Sequence, residues 1–129
     1  MSSTLLVVEP SLVVTVLVKK TILRNDPDIN LFSAENGKSG IKIAKNEKPD
    51  LILLAWAMPD FDGKYFLDKL HSDPDLASIP VLLHTSVPRE LIKIDLESYP
   101  NIKEFIKKPL ALSKLFNRLE KYLSPTEGS

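Results

Sequence analysis

The stretch 49-PDLILLAWAMPDFDG-63 decides how the rest of the chain is read. Pro49 and Asp50 open it, Leu51, Ile52, Leu53 and Leu54 follow, and after Ala55 and Trp56 it breaks into a loop holding Met58-Pro59 and Asp62-Gly63. Four consecutive aliphatics with no polar alternation are what a strand covered on both faces requires, as in the middle of a parallel sheet. Ligand chemistry in such sheets gathers at the carboxyl ends of the strands, so Ala55 stands where a functional side chain is expected. A methyl group offers no nucleophile, base or metal ligand.

Outward from this strand the chain alternates apolar runs with helical periods. Thr4 to Val8 reads as a first buried strand, stopped by Glu9-Pro10. Leu12 to Asn25 is valine-rich, which favours a strand. Its length, the capping Ser11, a basic second half and the stop at Asp26-Pro27 make it a helix. Ile29 to Ala34 reads as a second strand, and Asn36-Gly37 turns into a helix from Lys38 to Glu47. Beyond Gly63, helical spacing predicts a helix over Lys64 to His71, then a strand over Pro80 to His84 and a fourth helix over Pro88 to Glu97, entered through Pro88. A short fifth strand around Phe105 and Ile106 and a helix from Leu112 to Leu123 complete the alternation. The expected fold is α/β: a five-stranded parallel sheet in the flavodoxin-like order 2-1-3-4-5, with five helices on both faces. The domain is placed at residues 1–123, and residues 124–129 are read as a polar tail.

Composition narrows the functions. A chain of 129 residues suits one domain with a real core. Seventeen basic residues cancel seventeen acidic ones, which gives a nucleic-acid surface no electrostatic support. The absence of cysteine excludes disulfides, thiol chemistry and Cys-ligated zinc. The apolar region from Leu5 to Val18 is broken by Glu9-Pro10-Ser11, so it reads as folded structure and not as a membrane span. A cytoplasmic protein without nucleic-acid or membrane partners is the expectation.

Four landmarks in register, LLVVEPS at the start, PDLILLAWAMPDFDG, IPVLLHTS at the fourth strand and FIKKPL near the end, make the chain resemble the receiver domain of two-component response regulators from Thr4 to Leu123. In that family two acidic residues after the first strand hold magnesium, and an aspartate after the third accepts a phosphoryl group. A hydroxyl residue after the fourth strand and a lysine before a proline after the fifth contact the phosphoryl oxygens. Carried over, the resemblance makes Thr85 the hydroxyl residue, Lys108 the lysine before Pro109 and Phe105 the switch aromatic. Glu9 and Pro10 stand at the acidic pair, and Ala55 at the acceptor. Three carboxylates and one ammonium would leave about two negative charges for a hard cation; Glu9 and Lys108 leave approximately none. With no acceptor and too few oxygen ligands, neither catalysis nor a cofactor is expected, and magnesium binding is expected to be lost or weak. Glu9, one methylene longer than aspartate, is expected to cross to Lys108, with Thr85 hydrogen-bonded in the same pocket.

The reading that follows is an atypical receiver, not an enzyme, acting as a phosphorylation-independent protein–protein interaction module in signal transduction. The implied partner surface is the fourth helix, fifth strand and fifth helix, where Arg89, Glu90, Lys93, Glu97, Lys107, Lys114 and Arg118 supply charges for a signalling partner or a homodimer. One alternative keeps phosphorylation through Asp60 or Asp62, although turn chemistry already explains both. Another is a small-molecule-binding flavodoxin-like domain, for which EPSLVV lacks the glycine- and hydroxyl-rich phosphate loop. His84 reads as a packed core histidine, His71 as a residue favoured near a helix C-terminus and Trp56 as loop packing beside the pocket. Eight of the twelve residues from Leu12 to Leu23 are Leu, Val or Ile, more than one core-facing stripe needs. Some of Val13, Val14, Leu17 and Val18 are therefore expected on the surface, as a partner would require.

Overall fold

A computed structural model of the chain describes residues 3–123; the expected polar tail lies outside them. The five strands are β1 (Thr4–Val8), β2 (Asn30–Ala34), β3 (Leu51–Leu54), β4 (Val81–Thr85) and β5 (Ile102–Lys107). They form one parallel sheet in the order β2-β1-β3-β4-β5. Side chains alternate across each strand, so one sheet builds two cores. Leu6, Val8, Ile52, Leu54, Val81 and Leu83 pack on one face. Leu5, Val7, Leu51, Leu53 and Leu82 pack on the other.

Among the described residues four helices cover the sheet: α1 (Leu12–Asn25), α2 (Gly37–Glu47), α3 (Gly63–His71) and α4 (Leu112–Glu120). Ile41 and Ala44 of α2 and Phe66, Leu67 and Leu70 of α3 join the first core. Val18 and Ile22 of α1 and Leu115, Phe116 and Leu119 of α4 join the second. The helix starts follow from side-chain oxygens accepting otherwise orphaned amide hydrogens: Ser11 from Val14, Asn36 from Ser39 and Asp62 from Tyr65.

The fourth helix expected over Pro88 to Glu97 does not form, so among the described residues the sheet carries four helices and not five. Two single 3-10 turns, Arg89–Leu91 and Leu96–Ser98, stand in its place. Ile92 is extended and buried while its neighbours Leu91 and Lys93 are exposed, so the apolar residues here do not make a helical stripe. Asp95 accepts from the Glu97 amide and the Ser98 hydroxyl, a local turn that competes with helical bonding. The segment is tied down from its far end. The Tyr99 hydroxyl donates to Asp68 at 2.5 Å, and Asn101 bridges His71 at 3.0 Å and the Ile79 carbonyl at 3.0 Å.

Smaller differences concern ends. Gly37 already belongs to α2 because Asn36 is its cap, β4 includes Thr85, β5 runs four residues longer than expected, and α4 ends at Glu120. No helix among the described residues is long and apolar enough to cross a membrane.

Candidate functional site

The carboxyl ends of the central strands bring the expected residues together by register. Val8 lies beside Leu54, and Leu54 beside Leu83, so Glu9 and Ala55 emerge in one row with the end of β4. The Ala55 amide donates to the Val8 carbonyl at 2.9 Å, and the Lys108 amide to the Thr85 carbonyl at 2.9 Å. Main-chain bonds thus fix Glu9, Ala55, Thr85 and Lys108 at one edge.

Within this row the Lys108 ammonium donates to Oε1 of Glu9 at 2.7 Å. Oε2 of the same carboxylate accepts from the Ser11 amide at 3.0 Å. Both carboxylate oxygens are therefore engaged by cationic or amide donors. The Glu9 side chain is 3% exposed and that of Lys108 21%, so the pair is largely removed from water and its members depend on each other. Ser11 serves twice, its hydroxyl as the cap of α1 and its amide as a donor to Glu9. Its amide, two residues from Glu9, turns the carboxylate toward Lys108.

Thr85 departs from the expectation. Its hydroxyl accepts from the Val87 amide at 3.1 Å, closing the turn after β4, and only its carbonyl meets Lys108. Pro10 is exposed, Ala55 is buried, and neither side chain carries an oxygen. The donor set does not fit a divalent cation, which takes several oxygen ligands: one carboxylate is present, and it is already committed. Among the described residues no group of three or more His, Asp or Glu side chains could hold a metal ion.

Phe105 is half-buried on β5, and the Arg89 guanidinium stacks over its ring at 4.1 Å from the centroid. That cation–π contact joins the switch aromatic to the irregular segment, and nothing in the local sequence around either residue signals it. Of the other charges placed on the partner surface, Glu90, Lys93, Glu97, Lys107 and Lys114 are exposed. Arg118 is bound to Glu104 at 2.7 Å. Arg89, Glu90, Lys93 and Glu97 sit on or between the 3-10 turns and not on a helix, which corrects the surface expected from a fourth helix.

Asp60 and Asp62 are spent on architecture. Asp60 accepts from the Gly37 and Lys38 amides at 2.9 and 2.8 Å, joining the loop after β3 to the start of α2. Slight burial opposes its ionisation, but these amides outweigh that and hold its carboxyl below the usual range. Asp62 caps α3. Two glycines let the aromatic residues of this loop lie flat. A Cβ on Gly63 would come within 2.5 Å of the Trp56 ring, and one on Gly37 within 2.0 Å of Phe61.

His84 is buried beneath the row at 5% exposure, and no partner for its Nδ1 is found among the described residues. Burial, then the nearby Lys108 charge, push its pKa down to about 4, against the opposing pull of Glu9. On α1, Val18 is buried and Val14 half-buried, while Leu12, Val13, Val16, Leu17 and Leu23 are exposed, Leu12 at 65% and Val13 at 68%. The surplus of apolar residues on this helix thus lies on the outside.

Comparison with known proteins places these features. The family profile for the response regulator receiver domain matches residues 5–120. The chain is 31% identical to Protein PilH of Pseudomonas aeruginosa over 80 residues, covering 62% of this chain and 66% of PilH. It is 27% identical to the chemotaxis protein CheY of Listeria monocytogenes over 118 residues, 91% of this chain and 95% of that protein. Histidine kinase P4 of Formosa agariphila is 33% identical over 122 residues, but the match spans only 8% of that kinase. Among solved structures, the phosphorylated cyanobacterial phytochrome response regulator RcpA superimposes with a TM-score of 0.77 at 25% identity, each chain fully covered.

Proposed function

The chain belongs to the response regulator receiver domain family, and on that premise we propose that it is an atypical receiver, a phosphorylation-independent protein–protein interaction module in signal transduction. The observation that carries this reading is the 2.7 Å ion pair between Glu9 and Lys108 across a pocket whose third strand ends in Ala55. The family uses this place for an acceptor carboxylate and a metal. Here a fixed, neutral pair and a methyl group supply neither, so the chain has one arrangement of its pocket to present to a partner. Magnesium binding is correspondingly weak or lost in this reading, and the domain catalyses nothing.

The partner is a signalling protein, since the relatives named above include a histidine kinase and a chemotaxis protein. Two surfaces are open to it: the charged segment from Pro88 through β5 to α4, which could also serve a homodimer, and the exposed apolar face of α1. Phosphorylation through Asp60 or Asp62 has less support, because both carboxylates already accept amide hydrogens at helix starts. The test is to measure partner retention on the immobilised chain before and after treatment with acetyl phosphate and magnesium. Equal retention is expected. Retention that depends on the phosphodonor would overturn the proposal.

A further inference from the structure

On the face of the sheet opposite α2 and α3, a cavity of about 170 Å³ opens between α1 and α4. Val14, Leu17 and Val18 of α1 and Leu112 and Leu115 of α4 line it, and His84 lies among them. Its wall is almost wholly apolar. An apolar cavity of about 150 Å³ in another protein is large enough to take benzene. Three members of this wall, Val18, Leu115 and His84, are buried, while Leu17 is exposed at the surface. The cavity therefore runs from an apolar rim down to an imidazole.

The imidazole is a polar exception in this apolar wall. Nδ1 of His84 is shielded from water and lacks a partner among the described residues, although buried polar atoms are nearly always hydrogen-bonded. His84 is itself one of the residues lining the cavity, so a molecule bound there lies against the imidazole. We infer that the cavity is a binding site for a small neutral apolar molecule bearing one hydroxyl group, of the size of a phenol, which buries its hydrocarbon between α1 and α4 and hydrogen-bonds to His84.

The charges beside the cavity select this class. Lys108, which also borders it, disfavours a cation. Its charge is already matched by Glu9 at 2.7 Å, so a carboxylate ligand gains no free counter-ion and meets the Glu9 charge. A hydroxyl can donate or accept and so suits either tautomer of a neutral histidine. The site does not depend on how the pocket above Ala55 is used, and its failure would leave the proposed function untouched.

The test is a methyl and imidazole NMR titration of the full chain with phenol, with toluene as the analogue lacking the hydroxyl. Saturable shifts confined to Val14, Leu17, Val18 and Leu115 and to the His84 ring are expected, with phenol bound about three- to tenfold more tightly than toluene, the range appropriate to one net hydrogen bond. In His84→Leu the preference should collapse while toluene still binds. In Val14→Phe, where the added ring fills the mouth from a half-buried position, both ligands should be lost. Unsaturated or scattered shifts, equal binding of the two probes to the natural chain, or a preference that survives His84→Leu would each overturn the assignment. If His84→Leu fails to fold, the Val14→Phe variant and the phenol–toluene comparison on the natural chain still decide it.

Discussion

Replacing Lys108 by methionine should destabilise the fold more than replacing Glu9 by glutamine, because the two members of the pair differ in their access to water. Without Lys108, the Glu9 carboxylate, 3% exposed, keeps only the Ser11 amide. Breaking a buried pair in this way costs about 3 kcal/mol, the low end of the usual range, since one amide donor remains. Without the Glu9 charge, the Lys108 ammonium, 21% exposed, can turn toward solvent, and a glutamine carbonyl can still accept one of the two hydrogen bonds. That change should cost about 1–2 kcal/mol. The double variant leaves no buried charge at this place and should cost about as much as Glu9→Gln alone. The four proteins then give a coupling of about 3 kcal/mol in magnitude, the whole cost of Lys108→Met. Urea unfolding followed by Trp56 fluorescence and circular dichroism measures all four by linear extrapolation. Additive losses within about 0.5 kcal/mol, or a larger loss for Glu9→Gln than for Lys108→Met, would refute the claim that the pair is a mutually dependent lock.

Three further outcomes follow from the geometry. Gly63→Ala places a methyl within 2.5 Å of the Trp56 ring, so the ring must move; a loss of about 1–3 kcal/mol and a shift in tryptophan emission are expected, and an unchanged spectrum at full stability would contradict the packing. His84 has a folded-state pKa of about 4, against an ordinary value of 6.5. As pH falls below about 6.5 the unfolded chain takes up a proton that the folded chain refuses, so stability should drop by roughly 2–3 kcal/mol between there and pH 4 and then level off. His84→Leu should lack that component in the same urea series across pH. Pro10→Asp combined with Ala55→Asp restores two oxygen ligands and an acceptor beside Glu9. That variant should bind magnesium, seen as a change in Trp56 fluorescence, and should acquire a phosphoryl group, whereas either single change should do so poorly or not at all.

The strands were legible because a parallel sheet buries both faces, which writes runs such as LILL and VLL directly into the sequence. The Glu9–Lys108 pair was legible only through the resemblance, which puts a carboxylate after β1 and a lysine after β5 in one pocket although β3 and β4 lie between those strands. The fourth helix is absent although Leu91, Ile92, Ile94 and Leu96 supply an apolar density compatible with one, because the chain buries only Ile92 fully and turns on the Asp95 side chain. Contacts between distant segments left no local mark. Asp60 accepts from the first amides of a helix that begins 23 residues earlier, and Arg89 covers Phe105. Each depends on where the folded loops meet, which residue spacing along one chain does not encode.

Ala55 offers no carboxylate at the end of β3, and the Glu9 carboxylate is held by Lys108 at 2.7 Å, so no phosphoryl group should be accepted at this pocket. Intact-mass spectrometry of the natural chain after incubation with acetyl phosphate and magnesium tests it most directly, with the Pro10→Asp, Ala55→Asp variant run in parallel. No phosphoryl mass increment is expected on the natural chain, and an increment is expected on the variant. A phosphoryl group on the natural chain, mapped by fragmentation to Asp60, Asp62 or any other carboxylate of the loop after β3, would contradict it.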